Sequence, residues 1–305
     1  MQKKWVIPCF LFPALMVYSV FFILPIIGSV RLAFFDFNGL EPVTFVGFDN
    51  FVALFTRSPY SEHFWNAFGN NIVFFLIVTV FQNFFGFVIA VMVTRKKWGA
   101  NFFRTISFLP TTISVIVVGF LFKLMLNPQW GLVNMILERI GLISQGFPWL
   151  GKPGIALFMV AFAVSWQWMG ESVIFYSAGI DGINPELFEA ARIDGASLWH
   201  EIRYILLPAV VPVIAIVTIL IFVGDFTQFD IVYAMTGSKG NPSYSTDIFG
   251  SLFYRVAFQV PARGGWGFGM GAAVSTTISL IISIGVFLWV LLFNRAGKKK
   301  QGGVA

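Results

Sequence analysis

The sequence predicts an all-α, polytopic membrane protein, with six helices crossing the bilayer and one polar, helix-forming segment set between two of them. Three observations carry this expectation. Hydrophobic residues make up 57% of the chain and charged residues only 11%, whereas a soluble domain carries about 25% charged residues. Apolar runs close to the length that spans a hydrocarbon core recur along the chain. The basic residues behind the net charge of +6 flank these runs and form no single basic face. That pattern fits the positive-inside rule and excludes a nucleic-acid surface.

The first run, residues 6–30, follows Lys3 and Lys4. It is too long for the core of a signal peptide and lacks a small-residue cleavage site, so it reads as a retained span. Cys9 lies within it and is the only cysteine, which leaves no internal disulfide. The remaining runs cover residues 67–93, 104–126, 154–179, 204–226 and 267–293. The intervals between runs reach roughly forty residues, too short for a substantial extramembrane domain. Residues 1–305 therefore read as one membrane domain with no attached enzyme. Gly131–Asn134 and Met135–Ile140 read as a turn and a short amphipathic helix at the interface. Gly264, Gly265, Gly267, Gly269 and Gly271 open the sixth span at spacings that permit close helix approach.

An even number of spans puts both termini on one side. With the termini in the cytoplasm, twelve Lys and Arg fall inside and seven outside, with Lys123 near the outer end of the third span. That asymmetry places residues 94–103 and 181–203 inside, and 130–152 and 235–262 outside.

The segment from Asn184 to Pro208 is polar in a chain with few such segments. Asn184 suits a helix N-cap, Pro185 the first helical position, and Glu186 and Glu189 the positive N-terminal end. Gly195 suits a stop, and Ser197 a cap for a second helix running into the fifth span. Glu189-Ala190-Ala191, Asp194-Gly195-Ala196 and Leu207-Pro208 together resemble the Glu-Ala-Ala loop of importer permeases in the ATP-binding-cassette superfamily. The fuller pattern from Ile183 through Ala196 is similar to the carbohydrate-importing, maltose-permease-like branch. Looser likeness extends to Phe45–Phe51, Phe103–Ser114 and Asp247–Phe258. Arg203-Tyr204-Ile205 departs from the usual Phe-x-x-Ile-Thr approach to the proline.

The resemblance implies that 181–203 is a cytoplasmic coupling elbow. Glu189, Ala190, Ala191, Asp194 and Gly195 would meet a separate ATPase, with Glu189 facing a basic residue and Gly195 making the turn. It implies a second permease subunit in a heterodimer, two copies of a cytoplasmic ATP-binding subunit and an extracytoplasmic solute-binding protein. ATP and Mg would sit on the ATPase and no cofactor on this chain. The setting would be the bacterial inner membrane. The Glu-Ala-Ala wording and the basic tail suit the first permease of such a pair. No Gly-x-x-x-x-Gly-Lys-Ser/Thr run is present to cradle phosphates, and His63 and His200 are the only histidines, so neither a catalytic nor a metal centre is expected.

Ionisable residues inside a membrane usually face a cavity or a partner. Span four carries Trp166, Gln167, Trp168 and Glu171, with Glu171 at i+3 and i+4 from Trp168 and Gln167 and so expected on their face. Span five ends with Asp225, and span three holds Thr111 just after Pro110. Aromatic faces, amides and carboxylates are the groups that hold sugars, and in the maltose-permease relatives the corresponding parts of these spans line the sugar site. With Lys123 the nearest cation, the set points to a neutral or amino sugar rather than a phosphorylated or strongly anionic one. The tryptophans could equally be interfacial belt residues, and Asp225 could lie at the outer surface. Three rivals stand beside this reading: an ion-coupled secondary transporter, an importer of a non-sugar solute in the same superfamily, and an intramembrane aspartyl protease. The first leaves the Glu189 elbow unexplained, and the last lacks a second intramembrane Asp.

Overall fold

The structure, a computed structural model, describes residues 6–38, 41–95, 99–259 and 267–301. Lys3, Lys4, Lys96, Lys97, Arg263, Gly264 and Gly265 lie outside the described residues, as do the side chains of Arg95, Arg295 and Lys298–Lys300. The chain forms two compact units, one of residues 1–65 and 252–281 and one of residues 66–251 and 282–305.

In the first unit, α1 (Val6–Tyr18) continues through a π-helical turn, Ser19–Ile23, into α2 (Leu24–Leu32). Apolar side chains cover this rod on all sides and none of its hydrophobic window is buried, as expected of a helix whose surroundings are lipid. A hairpin follows, β1 (Phe35–Asn38) against β2 (Glu41–Phe45) in antiparallel register, Phe35 opposite Phe45. Sequence periodicity did not announce it, because the strands are four and five residues long. The Asn50 amide, in α3 (Asp49–Thr56), donates to the carbonyls of Ala33 and Phe35 at 2.9 and 3.0 Å and ties the hairpin to the end of α2. Gly269 packs beside this hairpin, and a Cβ there would run into the Phe35 carbonyl. Ala33, Ala272 and Ala273 form the small core, with Phe34 and Phe51 against it.

The second unit holds the larger core. It contains most of α4 (Tyr60–Arg95), then α5 (Ala100–Phe108), α6 (Val115–Met125), α7 (Leu132–Arg139), α8 (Ile155–Asp181), α9 (Pro185–Ile193), α10 (Leu198–Glu201), α11 (Leu207–Thr227) and α12 (Asp230–Thr236). The helix α13 (Phe249–Phe258) starts in this unit, and α14 (Phe268–Gln301) ends in it. Of the spans, α8 is the central one: 56% of its apolar window is buried, by Phe74 and Val78 of α4, Val118 of α6 and Val210 and Val217 of α11 among others. Gly170 lets α8 lie directly on the backbone of α5, where a Cβ would meet Ser107 and Phe108.

Among the described residues, five helices are long and apolar enough to cross a bilayer: Cys9–Leu32, Tyr60–Thr94, Ile155–Asp181, Leu198–Thr227 and Phe268–Phe293. The third span departs from the continuous helix expected over 104–126. Ala100–Thr112 and Val115–Met125 are bent by 91°, and they make a sixth crossing only as a broken pair. Pro110 starts the break, since it has no N–H to continue the ladder. A short 3₁₀ turn, Leu109–Thr112, ends at Ile113 in extended conformation. At about 1.5 Å per residue, α6 alone is about 16 Å long, roughly half a hydrocarbon core.

Candidate functional site

Two places in the second unit gather polar chemistry. The first is a cavity of about 290 Å³ between α4, α8 and α11. Trp168, Glu171, Ser172 and Phe175 enter it from α8, Gly224, Asp225 and Thr227 from α11, Gln228 from the residue after it, and Gln82 from α4. The volume sits at the lower end of small-molecule sites, and its mixture of one indole, two carboxyls, two amides and two hydroxyls against aliphatic walls is their usual chemistry. Asp225 is only 3% exposed, and its Oδ2 has no hydrogen-bond partner. Its backbone carbonyl accepts from the Asn71 amide at 3.2 Å, while Asn71 Oδ1 accepts the N–H of Phe249 at 3.0 Å. The end of α11 is thereby held between α4 and α13. Nearby on the same three helices, the Tyr176 hydroxyl donates to Asn83 Oδ1, and the Asn83 amide reaches Thr79 and Thr218. Such interhelical hydrogen bonds set register where lipid offers no hydrophobic drive between helices.

Three of the six expected binding residues, Trp168, Glu171 and Asp225, therefore meet in one cavity. The other three do not. Gln167 is fully buried, and its amide donates to the Ile113 carbonyl at 3.0 Å, the group set free at the bend before α6. Neighbours on a helix diverge by about 100°, so sharing a stripe with Glu171 did not bring Gln167 to the same opening. Trp166 points to a separate apolar cavity of about 550 Å³, packed edge-on to Phe122 at 5.6 Å. Thr111 turns back to donate to the Phe108 carbonyl at 2.6 Å, capping the helix it follows. Gln82, Ser172, Thr227 and Gln228 were missed. Ser172 and Thr227 stand within two positions of residues already singled out, but Gln82, with Asn83, sits in a Phe-rich run that matches no sugar-binding pattern.

The second place is the elbow, α9 and α10. Asn184 Oδ1 accepts the N–H of Glu186 at 3.1 Å, Pro185 holds the first position, and Gly195 closes α9 with φ of +78°. The N–H of Ala196 returns to the Ala191 carbonyl at 2.8 Å and that of Gly195 to Arg192 at 3.1 Å, the paired bonds of a glycine-terminated helix. Arg192 then bridges to Glu201 at 3.2 Å, bracing α9 against α10; the Glu201 side chain is only 4% exposed. A π-helical turn, Ile202–Leu206, joins α10 to α11, so the second elbow helix and the fifth span run as one rod, Leu198–Thr227. Arg104 of α5 pairs with Asp181 at the end of α8 at 2.7 Å, anchoring the other side. Glu189, Ala190, Asp194 and Gly195 are exposed and Ala191 half-buried. Glu189 and Arg192 also edge a groove of about 470 Å³ with Phe188 and Leu206. Leu187, Ile193, Leu198 and Trp199 are exposed as well, Ile193 at 87% and Trp199 at 63%, which gives the polar elbow an apolar face. Among the described residues, no group of three or more His, Cys, Asp or Glu is arranged to hold a metal ion.

Comparison with known proteins gives this arrangement its context. Residues 82–298 match the family described as binding-protein-dependent transport system inner membrane component. A probable ABC transporter permease protein of Bacillus subtilis is 33% identical, over 98% of this chain and 99% of the relative. The lactose transport system permease protein of Rhizobium radiobacter is 32% identical over 92% of this chain and 91% of its own length. Among solved structures, a bacterial ABC transporter involved in the import of the acidic polysaccharide alginate superposes with a TM-score of 0.80. Sequence identity there is 27%, with 96% of each chain covered. The matched region takes in α8, the whole elbow and the cavity, and the chain is a multi-pass permease belonging to the family of binding-protein-dependent transport system inner membrane components.

Proposed function

We propose that the chain, acting as one permease domain over residues 1–305, is a subunit of an ATP-driven carbohydrate importer. The cavity lined by Trp168, Glu171 and Asp225 is its share of the translocation path. The elbow, with Glu189, Ala190, Ala191, Asp194 and Gly195, is the seat for a separate cytoplasmic ATPase. One observation carries this most directly: α10, braced to α9 by the Arg192–Glu201 pair, and the Asp225 end of the cavity belong to the same rod, Leu198–Thr227. A push on one end is thus delivered to the other. Relatives named for lactose, alpha-glucoside and trehalose/maltose transport support the substrate class. A solved neighbour in complex with an alginate pentasaccharide-bound periplasmic protein supports delivery by an extracytoplasmic binding protein. A second permease subunit completes the path, two ATPase copies bind ATP and Mg, and both termini lie in the cytoplasm.

The elbow is the place to test this. Glu189→Ala removes an exposed carboxylate at the edge of the groove, so insertion and folding should be unchanged. Sugar-dependent uptake should fall at least tenfold, with weakened co-purification of the ATPase. Normal uptake together with normal co-purification would remove the coupling role from the elbow.

A further inference from the structure

The cavity between α4, α8 and α11 is lined by acidic groups without a basic one. Two carboxyls, Glu171 and Asp225, line it, and neither Lys, Arg nor His does. Among the described residues of this unit, Arg104 pairs with Asp181 and Arg192 with Glu201, and neither cavity carboxyl is in either pair. Asp225 is the sharper of the two, being 97% covered with Oδ2 unpartnered. A buried acceptor of this kind costs free energy until a donor arrives, and the cost is largest for a charge. Gln82 also lines the cavity, its Oε1 accepting the Ser172 hydroxyl at 3.5 Å. No described side chain donates to Asp225 Oδ2, so an occupant of the cavity can supply that donor.

We propose that the cavity selects saccharides bearing a positively charged amino group and rejects uronates. This rests on the carbohydrate reading above and adds the charge class of the substrate. An ammonium supplies three donors and the missing positive charge at once. It pairs with Asp225 while the sugar ring lies against Trp168, whose indole offers the apolar face. A neutral sugar can satisfy the acceptor but does nothing to favour the ionised carboxylate, whereas an ammonium does both. A uronate adds a third carboxylate to a site without a cation, where like charges at short range repel strongly in a low dielectric. The solved neighbour imports an acidic polysaccharide, so the two chains share a fold and differ in the sign of their cargo.

The test uses the whole transporter complex in nanodiscs, without binding protein, so that the membrane cavity alone is sampled. Methyl glucosaminide, methyl glucoside and methyl glucuronide are compared at equal concentration by saturation-transfer NMR and by titration. The glucosaminide should bind at least tenfold more tightly than the glucoside, about 1.4 kcal/mol, and the glucuronide should show no transfer. In Asp225→Asn and Glu171→Gln the ratio of glucosaminide to glucoside should fall toward one, with ATPase co-purification unchanged. Equal binding of glucosaminide and glucoside to the wild type, or a ratio that survives both substitutions, overturns the charge assignment and leaves the carbohydrate reading standing. Failure of all three sugars to bind overturns the carbohydrate reading itself.

Discussion

Adjacent tryptophans on α8 illustrate how little separation in sequence is needed to change a residue's role. Trp168 borders the polar cavity, while Trp166, two positions away, packs on Phe122 in an apolar one. An aromatic–sugar contact is mostly burial of apolar area, at about 25 cal/mol per Å². Trp168→Ala should therefore lower uptake at limiting sugar by about tenfold or more, and Trp166→Ala should leave it within about twofold. Measured side by side in one uptake assay, equal losses in the two variants would mean that the cavity is not the sugar site. Gln167 lies between them and has a third task, holding the Ile113 carbonyl at the bend of the third span. The residue types on this turn were readable as sugar-binding chemistry, but which of them turn into the cavity depends on where α4 and α11 pack, and those helices are distant in sequence.

At the level of elements, the elbow is the best case for reading structure from residues. Its caps are local: Asn184 and Pro185 begin α9, and Gly195 and Ala196 end it, each within hydrogen-bonding reach of its own neighbours. The Arg192–Glu201 brace was not foreseen, because nine residues and a turn separate the pair. The broken third span was half-visible. Pro110 marks it, but an apolar run on both sides conceals a bend of 91°. The hairpin of β1 and β2 stayed hidden because Phe-rich strands this short carry no helix–strand contrast. Gly195 supplies the element-scale test. Open space surrounds it, so a larger side chain meets no neighbour there. At φ of +78°, however, a β-branched residue is strained by about 1–3 kcal/mol. Gly195→Val should thus misdirect α10 and reduce ATPase co-purification several-fold, whereas Gly195→Asn, which tolerates the left-handed region, should retain it. Equal co-purification with both variants would show that the turn conformation does not govern coupling.

For the whole molecule, orientation is the property that ties the two sites to two compartments. It rests on the distribution of Lys and Arg rather than on any contact. With Cys9 replaced by Ser, a single cysteine at Lys239 should react with an impermeant thiol reagent added to intact cells or right-side-out vesicles. One at Arg203 should react only after permeabilisation. Both positions are exposed, so a silent site reports the compartment and not burial. The opposite pattern would invert the topology and place the elbow on the wrong side for an ATPase.

The π-helical turn at Ile202–Leu206 has a thermodynamic consequence. It lets α10 run into α11 without a loop, so roughly 36 Å of unbroken helix separates Glu201 from Asp225, at 1.5 Å per residue. On the proposed reading, whatever free energy a nucleotide-driven partner at the elbow spends in changing the affinity of the cavity, an occupant of the cavity returns in full to the affinity of that partner. Cargo at Asp225 would then be an effector of the motor as well as its freight, and the size of that exchange can be read from either end of the rod.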